Sequence, residues 1–217
     1  MMRPSVLRPS VRRAGAAVMS ALALAACSHS SHTGAAAPAS AAPRREVLVT
    51  IGSDATFGYG LINRVSDSWP QRLFHDAFAR STVLVNAADR SATVDEALAV
   101  QVPLALDARA TVVTVWLGDL DLNDHVPVAR FEADLDRLVG RLRASGARVL
   151  IGNLSRALPG ATDYDLAIAR VARSRAATLV DLASALSATP NVSPSSLADP
   201  VTSESIAQAF GTALSRP

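Results

Sequence analysis

The sequence predicts one α/β domain, a doubly wound, flavodoxin-like sheet of five parallel strands with helices on both faces. Five short apolar runs alternate with stretches of helical periodicity, which is the pattern of repeated β-α-β units. The central run, residues 111–117, is continuously β-branched and apolar, as expected for a parallel strand buried on both faces. Roughly 170 residues carry this pattern, which is enough for one hydrophobic core.

The strands are predicted at residues 47–51, 82–86, 111–117, 148–152 and 178–181. Right-handed crossovers between them place helices on both faces of the sheet. Ligand sites in such sheets lie beyond the carboxyl ends of the strands. The loops after Ile51, Asn86 and Leu117 are therefore expected to border one crevice.

Capping residues indicate where the first two helices begin. Asp67 is predicted to cap a helix that starts near residue 68. Thr93 and Glu96 form a capping box for the second helix, which is expected to be kinked at Pro103.

Three more helices follow from apolar periodicity. The first of them ends at residues 145–146 and buries one stripe, formed by Phe131, Leu135, Leu138 and Leu142. The others are predicted at residues 164–176 and 203–214, with Ser203 as the cap of the last helix.

Residues 1–26 are predicted to be a lipoprotein signal peptide. Four arginines precede an apolar stretch, residues 14–26, that is too short to span a bilayer. The stretch ends in Leu24-Ala25-Ala26, and together with Cys27 these residues resemble a bacterial lipobox. Cys27 is the only cysteine of the chain. The resemblance implies lipidation of Cys27 and a protein held by its lipid at the outer face of the cell membrane. The alternative is an ordinary signal peptide with an incidental cysteine.

The mature chain is predicted to consist of the lipidated Cys27 with a disordered linker, residues 27–45, and a folded domain, residues 46–217. The linker is rich in Ala, Ser, Pro and His and has no apolar period. The net charge of +2 becomes about −2 when the four signal arginines are removed. The remaining arginines are dispersed and no nucleic-acid-reading motif is present, so no nucleic-acid partner is expected. No cofactor is expected either. The sequence contains arginine but no lysine and is rich in alanine. This composition is typical of a GC-rich genome, such as an actinobacterial one.

The segment after the first predicted strand, residues 51–60, has the outline of a nucleophile block. Glycine, a small polar residue, the nucleophile position, a spacer and threonine are followed by Gly-x-Gly. This outline resembles the SGNH (GDSL-type) hydrolases, and the resemblance implies that family's fold. The position of the family's serine is occupied by Asp54, and Ser53 lies one residue early.

The other three blocks of the family depart from its pattern in the same way. In residues 86–93 the oxyanion glycine is replaced by Ser91, and in residues 116–121 the asparagine donor is replaced by Leu120. The last block keeps Asp199 but has Thr202 where the family has its histidine base. The resemblance thus implies the hydrolase fold without its catalytic machinery, in a binding or accessory protein for a small molecule, lipid or glycan.

Two alternatives retain chemistry at the same strand ends. Ser53 with His125, from the loop after the third strand, would give a divergent esterase or lipase. Four aspartates would instead give a metal-binding hydrolase: Asp54, Asp119, Asp121 and Asp124. Arg64 and Arg90 are candidates to bind an anionic ligand there or to neutralise the aspartates.

Overall fold

The computed structural model of the protein describes residues 45–154, 158–188 and 199–216. The predicted signal peptide, Cys27 and residues 28–44 lie outside the described residues. Within the part that is described, no helix is long and apolar enough to cross a membrane.

One five-stranded parallel sheet forms the centre of the domain, in the order β2-β1-β3-β4-β5. The strands are β1 (Val47–Gly52), β2 (Val83–Asn86), β3 (Val112–Trp116), β4 (Arg148–Gly152) and β5 (Thr178–Val180). In the register, Leu48 of β1 lies opposite Leu84 of β2 and Val112 of β3. This order is that of flavodoxin-like sheets, and the predicted fold class is confirmed.

The helices of the described residues connect the strands or lie in their loops. They are α1 (Asp54–Phe57), α2 (Arg64–Asp67), α3 (Trp69–Ala77), α4 (Val94–Ala99), α5 (Gln101–Asp107), α6 (Asp119–Asn123), α7 (Val128–Ala144), α8 (Ala161–Ser174), α9 (Leu182–Ser187) and α10 (Pro200–Leu214). The short helices α1, α2, α6 and α9 were not predicted, because four to six residues are too few to show a helical period.

Two predicted helix caps are wrong. The N-cap of α3 is Ser68, not Asp67, because Asp67 ends the preceding short helix α2. The final helix begins at Pro200, three residues before the predicted cap Ser203. Asp199 is its N-cap, since its carboxylate accepts hydrogen bonds from the backbone N–H groups of Val201 and Thr202.

The second predicted helix is interrupted at Val100, which separates α4 from α5. Pro103 explains the position, because a proline has no N–H to donate and its ring clashes with the carbonyl four residues earlier, that of Ala99. The predicted capping box of Thr93 and Glu96 is present at the start of α4.

The sheet is covered by one hydrophobic cluster on each face. The larger cluster packs α4, α5, α7 and α8 against one face, and it contains the predicted stripe of α7. The other packs α3 and α10 against the opposite face, where Trp69 stacks on Phe210 with 4.8 Å between ring centroids. Trp69 also meets the edge of Trp116 at 6.5 Å, so both tryptophans belong to the core.

Candidate active site

The turn after β1 requires a glycine at its first position. A Cβ atom on Gly52 would lie 2.0 Å from Oγ1 of Thr56 and 2.9 Å from the backbone oxygen of Trp116. The buried side chain of Gln101 holds the same residue from α5. Its Oε1 accepts from the Gly52 N–H at 2.9 Å, and its amide donates to the Gly52 oxygen at 3.0 Å. Sequence reasoning missed Gln101, whose only signal is an amide on an otherwise apolar helix face.

Ser53 is buried, with 3% of its surface exposed, and its hydroxyl donates to Asp119 at the start of α6. The distances from Oγ to Oδ1 and Oδ2 are 3.0 and 3.2 Å. Burial raises the pKa of Asp119 above its usual value, and the hydrogen bond from Ser53 opposes part of that rise. The contact joins the loops that follow β1 and β3.

Asp54, at the position of the family's serine, faces an arginine from the loop after β2. The Nε atom of Arg90 lies 3.6 Å from Oδ1 of Asp54, and that buried oxygen accepts no hydrogen bond from any described residue. The guanidinium of Arg90 also lies over the ring of Tyr59, 3.7 Å from its centroid. Arg64 is placed in the same manner over Phe57, at 4.4 Å. Both arginines predicted for the crevice are therefore stacked on aromatic rings.

The second block keeps a glycine-like backbone without a glycine. Ser91 has a φ of 62°, in the left-handed region that a side chain rarely adopts. Asn86 supports the block from the end of β2, because its Oδ1 accepts from the Thr50 hydroxyl at 2.9 Å and its amide donates to the Thr56 oxygen at the same distance. The backbone N–H of Asp89 donates to the Gly52 oxygen at 3.3 Å.

The third block places a buried carboxylate, that of Asp121, beside the start of α4. Both oxygens of Asp121 accept from the Val94 N–H at the start of α4, at 3.3 and 3.1 Å. Burial raises the pKa of Asp121 to about 6 against the effect of this hydrogen bond. Leu120, its neighbour in α6, is half-buried and brings no hydrogen-bond donor on its side chain.

The last block forms a closed pair at the start of α10. The buried Thr202 donates its hydroxyl to the carboxylate of Asp199. Burial alone would raise the pKa of Asp199, but the hydrogen bonds from the Thr202 hydroxyl and from the two backbone N–H groups lower it overall. Where the family has histidine and aspartate, this chain has a hydroxyl bound to an aspartate.

The structure joins the first three blocks directly. The pairs are Gly52 with Asp89, Ser53 with Asp119, and Asp54 with Arg90. Asp199 and Thr202 contact each other, and no described hydrogen bond joins either of them to these three pairs.

The two alternative sites are not supported by the contacts. His125 is exposed in a left-handed backbone conformation after α6, and its ring makes no hydrogen bond to Ser53 among the described residues. Asp54, Asp119 and Asp121 face three different partners. No group of three or more His, Cys, Asp or Glu residues suited to a metal ion occurs in residues 45–154, 158–188 and 199–216.

A flavodoxin-like parallel sheet with these blocks on the loops at its carboxyl end defines the class of SGNH-fold hydrolases. The structure is similar to TesA, with a TM-score of 0.66 at 20% identity over 78% of this chain and 98% of that one. It is also similar to the lipase/acylhydrolase of Enterococcus faecalis, with a TM-score of 0.66 at 18% identity over 77% and 94% of the two chains. The esterase EstA of Pseudoalteromonas sp. gives 0.64 at 19% identity over 78% and 96%. At these identities the likeness concerns the fold.

The sequence profile of the GDSL-like lipase/acylhydrolase family matches residues 50–201, which is most of the chain. No curated protein sequence matches the chain significantly. The protein belongs to the GDSL-like lipase/acylhydrolase family.

Proposed function

We propose that this protein is an exported, lipid-anchored member of the family that has lost serine-ester hydrolysis and binds a ligand in the crevice. The observation that carries the proposal is the pairing of Asp54 with Arg90, at the place where the family has its nucleophile. A carboxylate held by a guanidinium is a weak nucleophile. Its attack on an ester would also form an anhydride, which is no easier to cleave than the ester.

Ser53 does not replace the missing nucleophile in this proposal. Its buried hydroxyl is bound to a carboxyl group and not to an imidazole. An active serine needs a base that removes its proton and returns it to the leaving group. Asp119 is a poor base for that purpose. Burial raises the pKa of its carboxyl group, but a carboxylate still binds a proton far more weakly than a serine alkoxide does.

Two further substitutions remove an oxyanion donor and the general base. Leu120 supplies no donor to an oxyanion, and loss of one such donor typically costs a factor of about 10² to 10³ in rate. Thr202 cannot accept a proton near neutral pH, and the hydrogen bond to Asp199 fixes it as a donor.

The rim of the crevice favours an uncharged ligand among the small molecules, lipids and glycans that the sequence leaves open. Tyr59 is half-exposed there, with Arg90 over one face of its ring, and the remainder of the ring offers apolar contact area to a ligand. Arg90 is engaged by Asp54 and by Tyr59, so its charge is partly neutralised. Titration with neutral and with acidic oligosaccharides would test this, with Tyr59→Ala expected to weaken binding of the neutral ones.

A covalent probe tests the loss of catalysis. The described sheet and both hydrophobic clusters lie within residues 45–216, so a chain that begins at residue 27, with Cys27→Ser, retains the folded domain. We expect it to hydrolyse no short p-nitrophenyl ester and to show no serine labelled by a fluorophosphonate. Turnover that disappears in Ser53→Ala would refute the proposal.

A restored variant serves as the matched positive control. It combines four substitutions that rebuild the family's pattern: Asp54→Ser, Ser91→Gly, Leu120→Asn and Thr202→His. Labelling at position 54 in this variant, without labelling of the parent chain, would attribute the inactivity to these positions and not to a distorted crevice.

The lipid anchor is tested separately on the full-length chain. Cys27→Ala is expected to move the protein from the membrane fraction to the soluble fraction, because the acyl chains provide the stable attachment. Retention of the variant in the membrane fraction would contradict the anchor without affecting the proposal on catalysis.

A further inference from the structure

The two ends of the parallel sheet carry opposite charge. At the amino end lie the last helical turns, the loops that lead into the strands and the first strand residues, within residues 45–47, 75–83, 104–112, 141–148, 171–178 and 211–216. This basic end contains nine arginines and three carboxylates. The carboxyl end comprises residues 52–72, 86–97, 116–131, 152–154, 158–164, 180–183 and 199–203. This acidic end contains eleven carboxylates and four arginines among the described residues.

Arginine side chains link neighbouring segments of the basic end by hydrogen bonds to backbone oxygens. Arg45 donates from Nε to the Ser81 oxygen at 2.9 Å, which links the start of β1 to the loop before β2. At the other side, Arg148 at the start of β4 donates to the Arg216 oxygen at 2.8 Å. Arg143 donates from Nε to the Arg175 oxygen at 3.2 Å and so links the end of α7 to the loop before β5.

Helix termini explain only part of this charge separation. Parallel sheets place the carboxyl ends of their helices together, and cations are favoured there. Arg148 acts in this way, because it binds the last carbonyls of α10 at Ala213 and Leu214. Three exposed arginines bind no helix carbonyl. The side chains of Arg80, Arg173 and Arg216 make no hydrogen bond or ion pair with any described residue.

The chain enters the folded domain at the basic end. β1 begins at Val47, so the segment that follows Cys27 reaches the domain beside Arg45. β1 has six residues, which separates the two ends by about 20 Å, twice the Debye length of about 10 Å at moderate salt. The charges of the two ends therefore act separately on a nearby surface.

We propose that the basic end is a docking surface for anionic phospholipid headgroups, and that it directs the acidic crevice away from the bilayer. Unpaired guanidinium groups bind phosphate, and the acidic end is repelled by the same membrane. The anchor proposed above would strengthen this contact, but the contact does not depend on it. The crevice then receives its ligand from the aqueous side and not from the lipids of the anchoring membrane.

Vesicle binding tests the docking surface on the unlipidated chain from residue 27 with Cys27→Ser. The chain is expected to sediment with vesicles of phosphatidylglycerol and phosphatidylcholine at about 0.1 M salt, and not with phosphatidylcholine alone. Binding should weaken about fivefold for each arginine removed, so Arg80→Gln, Arg173→Gln and Arg216→Gln together should weaken it about hundredfold. Failure to bind anionic vesicles would overturn the proposal.

A control with the same net charge removes three exposed arginines elsewhere: Arg64→Gln, Arg130→Gln and Arg170→Gln. Both triple variants should keep the circular dichroism of the parent, since all six side chains are largely exposed. The control is expected to bind almost as tightly as the parent. Equal weakening by the two triples would show attraction by net charge alone and would refute a defined surface.

Orientation is measured with a single fluorescent label. Because Cys27 is the only cysteine, the Cys27→Ser chain accepts one new cysteine, as Ser81→Cys at the basic end or Asn123→Cys at the acidic end. A lipid-attached quencher should reduce the fluorescence of the label at position 81 and leave that at position 123 nearly unchanged. The reverse pattern, or equal quenching, would contradict the proposed orientation.

Discussion

The hydroxyl of Ser53 donates to both carboxylate oxygens of Asp119, at 3.0 and 3.2 Å. The two residues follow neighbouring strands, β1 and β3, so this contact links the loops at the carboxyl ends of the two strands. It gives the only serine of the nucleophile segment a structural partner. The consequence is that Ser53 should matter for stability, and that its effect should depend on the ionisation of Asp119.

Ser53→Ala is expected to destabilise the domain more at a higher pH, where Asp119 is ionised, than at a lower pH, where it is protonated. The hydrogen bond favours the ionised form of Asp119, and its removal raises the pKa of that carboxyl further. Where Asp119 is ionised, the loss should be about 2 kcal/mol, as for hydrogen bonds to charged groups. Urea unfolding at both pH values measures the difference. In an Asp119→Asn background the same substitution should cost less and lose its pH dependence; an unchanged cost would contradict the coupling.

Gln101→Leu is expected to lower the free energy of unfolding by about 2 kcal/mol. It leaves the buried N–H of Gly52 without a partner and the oxygen of Gly52 with only the Asp89 N–H. Gln208→Leu on the exposed face of α10 is the control and should change stability by less than about 0.5 kcal/mol. Thermal and urea unfolding would measure both. Equal effects would show that Gln101 does not support the turn after β1.

Ser91→Gly is expected to stabilise the domain by about 0.5 to 1 kcal/mol, because glycine adopts a φ of 62° without the cost that a Cβ atom imposes. The gain is limited by the larger conformational freedom of glycine in the unfolded chain. Ser81→Gly, at an exposed position without a left-handed backbone, should instead be neutral or destabilising. A loss of stability in Ser91→Gly would show that the serine side chain supports its loop.

The sequence was sufficient for the sheet and the core because both follow from periodicity. The strand at residues 111–117 and the stripe of α7 were recognised from their apolar pattern, and the structure buries both. Side-chain type was less informative about a helix start where two possible N-cap residues lie close together in the sequence. Asp199 and Ser203 are both good caps, and the choice of Asp199 depends on Pro200, whose fixed φ suits the first helical position.

Contacts between loops were beyond sequence reasoning. Ser53 and Asp119 are 66 residues apart, and no pattern in either loop indicates that a hydroxyl meets a carboxylate there. The partner of Asp121 is a backbone N–H, which no side-chain motif can reveal. The acidic residues were predicted at the correct strand ends, but their separate partners are set by the path of the short helices α1 and α6.

Asp121 is expected to make the free energy of unfolding fall as the pH rises. Its folded pKa of about 6 lies above its unfolded value of about 4, so its contribution is complete below pH 4 and is lost as the pH rises through about 6. The change is on the order of 3 kcal/mol. Asp121→Asn keeps an acceptor for Val94 and should remove this part of the pH dependence, as measured by urea unfolding from about pH 4 to pH 7. Asp124→Asn, at an exposed position, should leave the slope as it is; a slope retained in Asp121→Asn would assign the titration to another group.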